Sequence, residues 1–406
     1  DYPDLKVYKL EKNYRSSDTI VNAANSVISK NKDQLEKKVW TDNQEGNKIK
    51  VFRAVTDNEE GKLIAQDIFE SKMTEQRLNS DYAVLYRTNS QSRSLEEALR
   101  KLNIPYKIYG GMSFYQRKEI KDLIAYLRLV INPLDEQALK RVINYPARGI
   151  GKTSLERVIV AASEEDKSLW EVISNANHYP QLKTSILKFR DFVNMIKSFQ
   201  ILGETQNAYD VAMNVARSTK ILKVLNEDKT IEGISKYENL VELLNGIKEF
   251  VEDDTNEAEK DLGSYLQDIA LLTDADRDND DTDKVSLMTI HQSKGLEFKK
   301  VFVAGLEENL FPSQMSLGSR SDLEEERRLF YVAITRAEEE LVLSFATSRF
   351  RFGTLLPCEP SRFIDEIDNQ YLELDRRTLS REKRTIGREQ SGNLPFGQKS
   401  SGLKRT

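Results

Sequence analysis

The sequence predicts an α/β fold: a parallel sheet covered by helices, encoded in two separated stretches with an all-helical insertion between them. Three observations lead there. Residues 1–113 alternate short apolar, β-branched runs with amphipathic helical stretches; residues 114–283 carry helical periodicity alone; strand runs return from 284 to about 367. The second βα block is too small for a core of its own, so it completes the first as one discontinuous domain, 1–113 plus 284–367.

The elements follow in order. After a first short strand, "RSSDTIVNAANSVISKN" offers Ser16, Ser17 and Asp18 as N-caps ahead of a stripe of Ile20, Ala24, Val27 and Ile28. "KIKVFRAV" and "DYAVLYRTN" are runs of the buried-strand type, separated by the helical "EEGKLIAQDIFESKM". "SRSLEEALRKLNI" is another amphipathic helix, closed by Pro105. Within 114–283, "RKEIKDLIAYLRLVIN", "SILKFRDFVNMIKSFQIL" and "ISKYENLVELLNGIKEFVEDD" are helical, and the acidic "TDADRDNDDTDK" reads as the linker that ends the insertion. "VSLMTIHQ", "KKVFVAGL" and "ELVLSFA" are the returning strands, with "SDLEEERRLFYVAITRAEEE" as a helix before the last. Residues 368–406 are poor in apolar side chains and rich in Gly, Ser, Lys and Arg, the pattern of a disordered basic tail or linker.

Composition excludes several functions. With 406 residues, 39% hydrophobic and 31% charged, the chain is of the soluble globular class. One cysteine, Cys358, rules out a disulfide framework, and two histidines, His178 and His291, leave no zinc-ligand spacing, so no metal site is expected. There is no Ser/His/Asp or Cys/His signature. No apolar run approaches a membrane span and the N-terminus lacks a signal-peptide pattern, so the expectation is a cytoplasmic protein without a membrane partner. The formal net charge of −5 hides an acidic stretch at 249–283 and a basic one beyond Asp375, and therefore says little about any single surface.

Four stretches carry chemistry. "YPARGIGKTS" ends like a phosphate-binding P-loop, but the first glycine of that pattern would fall at Pro146, which has a fixed φ and no N–H. A better reading is a helix-hairpin-helix: a tight turn through Gly149, Ile150, Gly151, Lys152 and Thr153, then a helix with Leu155, Val158 and Ile159 on one face. There the glycines let backbone N–H groups approach a DNA phosphate; an ordinary helical corner is the alternative. "NYRSS" sets Tyr14 and Arg15 before a helix N-terminus, suited to base stacking and phosphate pairing, or else to a core tyrosine and a surface arginine.

"MTIHQSKGLEF" leaves a strand and turns at Gly295, so His291, Ser293, Lys294 and Glu297 are expected in a loop beyond the carboxyl end of a parallel strand; a solvated turn is the plain alternative. "EEERRLFYVAITRAEEE" combines an apolar stripe of Leu329, Phe330, Val332 and Ala333 with a Glu324–Arg328 pair. Arg336, near the C-terminal end of that helix, suits either an arginine finger or simple compensation of the helix dipole.

Taken in order, "LEKNYRSSDTIVNAAN", "YAVLYRTNSQSR", "FYQRKEIKD", "PARGIGKTS", "MTIHQSKGLEFKKVFVAGLEENLFP", "EEERRLFYVAITRAEEELVL" and "PSRFIDEI" resemble the C-terminal half of superfamily 1 DNA helicases of the UvrD/Rep/PcrA type, with the Gram-positive members nearest. The resemblance spans residues 1 to about 368. It implies a second RecA-like motor domain, of P-loop-NTPase type but without the P-loop, interrupted by the helical subdomain. Tyr14 would then stack on adenine, Arg15 and Arg336 would contact the γ-phosphate, and Glu297 would hold the ribose. Arg87, Asn89, His291 and Phe352 would contact single-stranded DNA, and the "GIGKT" hairpin would touch duplex.

The implied cofactor is ATP with Mg²⁺, whose P-loop and metal ligands belong to an N-terminal RecA-like domain not found in this sequence. "RFIDEID" offers Asp365 and Glu366, but no long apolar strand leads into them as a Mg²⁺ site would require. The implied partners are single-stranded DNA, the single-strand/duplex junction, the N-terminal domain of the same protein, and repair, replication-initiator or RNA polymerase proteins. The parent would hydrolyse ATP to move 3′ to 5′ and unwind, and the fragment alone, truncated at both ends, would hydrolyse nothing. A stand-alone DNA-binding or regulatory module is the competing reading. It has no use for Arg15, Arg336 and Glu297. A nuclease-helicase subunit would need a carboxylate-rich domain after the last strand.

Overall fold

A computed structural model describes residues 8–33, 37–253, 259–274, 282–351 and 353–374. The strands β1 (Ile49–Ala54), β2 (Tyr82–Tyr86), β3 (Tyr106–Ile108), β4 (Val285–Thr289), β5 (Phe298–Val303), β6 (Ala337–Ala346) and β7 (Leu372–Leu374) form one sheet in the order β7-β1-β6-β5-β2-β4-β3. Every pairing is parallel, with Val84 opposite both Leu287 and Phe302, and Val51 opposite Leu343. The fold class is therefore α/β, and the central strands come from both halves of the sequence.

Period-two alternation explains how the sheet is covered. Ile49, Val51, Ala83, Leu85, Val301, Val303, Leu341 and Leu343 face one side, where they pack against α1 (Asp18–Ile28) and a later helix at Arg320–Ile334. Phe52, Tyr82, Val84, Tyr86, Phe302 and Val342 face the other, against α2 (Asp57–Glu75) and α3 (Ser92–Lys101). Ser17 occupies the N-cap position of α1 but its side chain makes no cap bond. Ser16 acts instead, donating its hydroxyl to the Ala337 carbonyl at 2.7 Å and so tying the segment before α1 to the start of β6.

The insertion is helical throughout its described residues. It comprises α4 (Lys118–Ile131), α5 (Glu136–Val142), α6 (Lys152–Glu164), α7 (Leu169–Ser174), α8 (Ile186–Gly203), α9 (Ala208–Ser218), α10 (Ile221–Glu227), α11 (Ile231–Glu252) and α12 (Leu262–Asp274) around a core of its own. The helix at Arg320–Ile334 is α13, and a short α14 spans Arg362–Asp365.

A buried polar junction joins insertion to sheet domain. Arg93 of α3, 2% exposed, lies among Glu97 (3.3 Å), Glu242 (2.7 Å), Glu249 (2.9 Å) and Asp57 (3.7 Å). Glu242 and Glu249 belong to α11, and a Cβ on Gly246 of that helix would meet the Arg93 guanidinium at 2.9 Å, so a larger residue there would push Arg93 out of its place. Arg117 donates to the Asn89 carbonyl (2.9 Å), Asn239 (2.8 Å) and Ser92 (2.8 Å), fastening α11 behind the loop that follows β2.

The structure corrects four expectations. "AEEE" begins β6 rather than ending the helix, because α13 stops at Ile334. Leu372–Leu374, taken with the tail, pairs with β1 as an edge strand. Tyr106–Ile108 adds a strand at the other edge. Ile159 is 39% exposed, since α6 packs through Val158, Ala161 and Ala162 instead. Most of the acidic linker, and the tail from 375 onward, lie outside the described residues.

Candidate functional site

Sequence-distant residues meet at the amino end of the sheet. Glu297 immediately precedes β5, Arg336 immediately precedes β6, and the Ser16 bond brings Arg15 beside both. Arg15 Nε donates to the Glu297 carboxylate, and its Nη1 donates to the Thr335 carbonyl at 3.3 Å. Arg336 donates to the carbonyls of Val332 (3.1 Å) and Leu296 (2.9 Å) and to Thr335 Oγ1 (3.3 Å). Burial, and then the neighbouring Arg15, hold the Arg336 guanidinium below its ordinary value, with Glu297 opposing. Two crowded, partly desolvated guanidiniums favour an anion between them.

Tyr14 presents a 78% exposed ring beside them. Lys12 Nζ sits 4.9 Å from its centroid and 5.1 Å from that of Trp40, and pairs with Asp42 at 2.5 Å. Sequence reasoning missed Lys12, Trp40 and Asp42; the pairing of Lys12–Asn13 with Trp40–Thr41 that assembles them leaves no pattern in so short a run.

Glu297 was expected beyond a carboxyl strand end, and there the structure differs. Residues 290–297 cross from the carboxyl end of β4 to the amino end of β5, and Gly295 makes the turn at φ +89°. His291 therefore stays at one end of the sheet while Glu297 reaches the other. Ser293 is buried and donates to the Ile290 carbonyl at 2.7 Å, a structural role, while Lys294 is exposed.

The carboxyl end gathers the second set. Arg87 and Asn89 follow β2, and His291 follows β4. Asn89 and His291 are exposed, and Arg87 is held by Glu326 of α13 through Nη2 (2.8 Å) and Nε (3.2 Å to each oxygen). Although the residue as a whole is exposed, partial desolvation of its ring, then Arg87, hold the His291 imidazole below its usual value against the pull of Glu326 and Glu325. Phe352 lies outside the described residues; the strands before and after it, Ser348–Arg351 and Thr354–Pro357, pair antiparallel. The sequence singled out Glu324 in α13 but not Glu326, whose partner stands 239 positions away.

The "GIGKT" turn joins α5 to α6, with no strand leading into it. Asn144 Oδ1 accepts from the N–H groups of Arg148 (2.9 Å) and Ile150 (3.0 Å), and Ile150 is buried as the anchor of the turn. Gly149 has φ +71°, and a Cβ there would approach Lys188 Nζ at 2.9 Å. Gly151 differs: at φ −75° and with nothing within 4 Å of a Cβ, nothing in the chain itself demands glycine. Lys152 and Thr153 are exposed.

Fold and faces together define a class: a parallel α/β domain interrupted by a helical insertion, with arginines and acids converging at both ends of its sheet. The chain belongs to the UvrD-like helicase C-terminal domain family, which matches residues 8–348. It is 40% identical over 375 residues to the ATP-dependent DNA helicase PcrA of Staphylococcus aureus (strain NCTC 8325 / PS 47), covering 92% of this chain and 51% of that one. Its identity to the ATP-dependent DNA helicase PcrA of Bacillus subtilis (strain 168) is likewise 40%, over 379 residues, with the same coverage. The chain thus spans about half the length of these relatives. Among solved structures, the C-terminal domain of a possible DNA helicase from Lactobacillus plantarum WCFS1 overlays 89% of this chain and 98% of its own at 9% identity and a TM-score of 0.33, too weak to bear on the fold.

Proposed function

We propose that this chain is the C-terminal motor half of an ATP-dependent 3′ to 5′ DNA helicase or translocase. The observation that carries the reading is the convergence of Arg15, Glu297 and Arg336, up to 321 positions apart, at one end of the sheet beside the exposed Tyr14 ring. The paired guanidiniums fit the polyphosphate of ATP, Tyr14 fits a base, and Glu297 fits a ribose hydroxyl. Among the described residues no group of three or more His, Cys, Asp or Glu is placed to hold a metal ion. The metal ligands and the P-loop are assigned to the N-terminal RecA-like half, and the chain alone hydrolyses nothing.

At the opposite end Arg87, Asn89 and His291 take single-stranded DNA, and Phe352 is assigned a base to stack on. Gly149, Ile150, Gly151, Lys152 and Thr153 take duplex beyond the junction, and the open space over Gly151 supports close approach of a phosphate to the first N–H groups of α6. No helix among the described residues is long and apolar enough to cross a membrane. Repair, replication-initiator and RNA polymerase proteins are the classes of partner proposed.

The test is ATP hydrolysis with and without single-stranded DNA, by this chain and by the protein carrying both halves. Hydrolysis by the two-half protein alone, stimulated by DNA, is the expected result; DNA binding without any effect on hydrolysis would replace the motor reading by a binding module. For the hairpin, Lys152→Ala is expected to flatten the slope of log K for duplex binding against log salt by about 1, as for one lost phosphate contact. An unchanged slope would remove Lys152 from the interface.

A further inference from the structure

Glu326 of α13 stands beside Arg87 at the carboxyl end of the sheet. Its carboxylate is 7% exposed and receives Arg87 Nε and Nη2 as well as the Ser313 N–H at 3.2 Å. Among the described residues Arg87 Nη1 has no hydrogen-bond partner, so the fork is fixed on one side and free on the other. A planar guanidinium gripped along one edge is pre-organised to meet a phosphate with the rest.

From Glu326 the helix runs eight residues to Ile334, about 12 Å at 1.5 Å per residue, and Arg336 follows in the turn before β6. Its inner face is packed hard: Phe330 is fully buried, with its ring centroid 5.8 Å from that of Phe311 and 5.4 Å from that of Phe363. Arg327 adds bonds of 2.7 Å to each oxygen of Glu366 and one of 2.6 Å to Asn31. A helix held in this way shifts as a body rather than bending. Arg336 hangs from its last turn by the Val332 carbonyl.

We propose that Glu326 is a positioning residue: it orients Arg87 toward a phosphate of single-stranded DNA and, through α13, ties occupancy of that face to the setting of Arg336. The inference rests on the motor reading above. An arginine pulled toward DNA draws on the carboxylate that grips it, and the load passes to the helix whose last turn holds the second arginine through the Val332 carbonyl.

The test uses the protein carrying both halves in four forms: wild type, Arg87→Ala, Glu326→Gln and the double variant. ATP hydrolysis is followed as a function of oligothymidylate concentration. Glu326→Gln is expected to raise the half-saturating DNA concentration roughly tenfold and to lower the saturated rate, and to add less than about twofold to either in the Arg87→Ala background. Full additivity in that background, as a merely structural loss would give, overturns the inference, as does an unchanged Glu326→Gln response. A wild type that DNA does not stimulate overturns the motor reading and this one together; a stimulated wild type with additive variants overturns this one alone.

Discussion

Replacing Arg336 by alanine lowers DNA-stimulated ATP hydrolysis by the two-half protein at least ~100-fold, about 2.7 kcal/mol of transition-state stabilisation. The expectation follows from where the side chain sits. It is anchored by carbonyls of Val332 and Leu296 and crowded by Arg15, so its charge is aimed and poorly hydrated before any nucleotide arrives. A pre-aimed charge in a partly desolvated site needs little reorganisation as a phosphoryl group leaves. Lysine cannot reproduce this, because an ammonium lacks the planar fork that holds both carbonyls, so Arg336→Lys is expected to recover less than tenfold. Steady-state hydrolysis at saturating DNA measures both. An alanine variant within threefold of wild type would remove Arg336 from the reaction.

The largest expected effect on stability is at Arg93. Truncation to alanine leaves Asp57, Glu97, Glu242 and Glu249 around an empty centre, and an uncompensated buried charge costs about 3–5 kcal/mol. Burial raises the Glu242 and Glu249 carboxyls above their ordinary 4.5, and Arg93 is the first group opposing the rise. The folded protein therefore holds protons that the unfolded chain releases. The stability these groups contribute is full below about 4.5 and is lost as pH climbs through the raised values. Without Arg93 the carboxyls rise further, so the deficit of Arg93→Ala is expected to be smaller at pH 5 than at pH 8. Urea unfolding at both pH values measures it; equal deficits would mean that the cluster is not ionised as described.

The near-continuous apolar runs in "KVFRAV", "YAVLY", "KVFVAG" and "LVLSFA" are enough to read the strands, because each is buried on both faces. Edge strands were not legible. Tyr106–Ile108 and Leu372–Leu374 are three residues long and half exposed, and their pairing is supplied by the neighbour rather than by their own composition. The end of α13 is not legible because "RAEEE" suits a helix; Ala337 and the glutamates after it extend only because β5 offers a partner.

The α/β class and the helical interruption are legible in the chain alone, since periodicity is a property of neighbouring residues; short motifs and a family resemblance single out Arg15, Glu297 and Arg336 but not Lys12, Trp40, Asp42 or Glu326. Only the tertiary structure decided that Glu297 and His291, six positions apart, stand at opposite ends of the sheet, and that Arg15 and Arg336, 321 positions apart, share one. It alone decided that Arg87 answers to Glu326 and that Arg93 bolts α11 to the sheet domain. The physical reason is common to all of these. Burying a charge requires a partner within about 3–4 Å, and that distance is set by strand order and helix packing, neither of which is written in the spacing of the residues that meet.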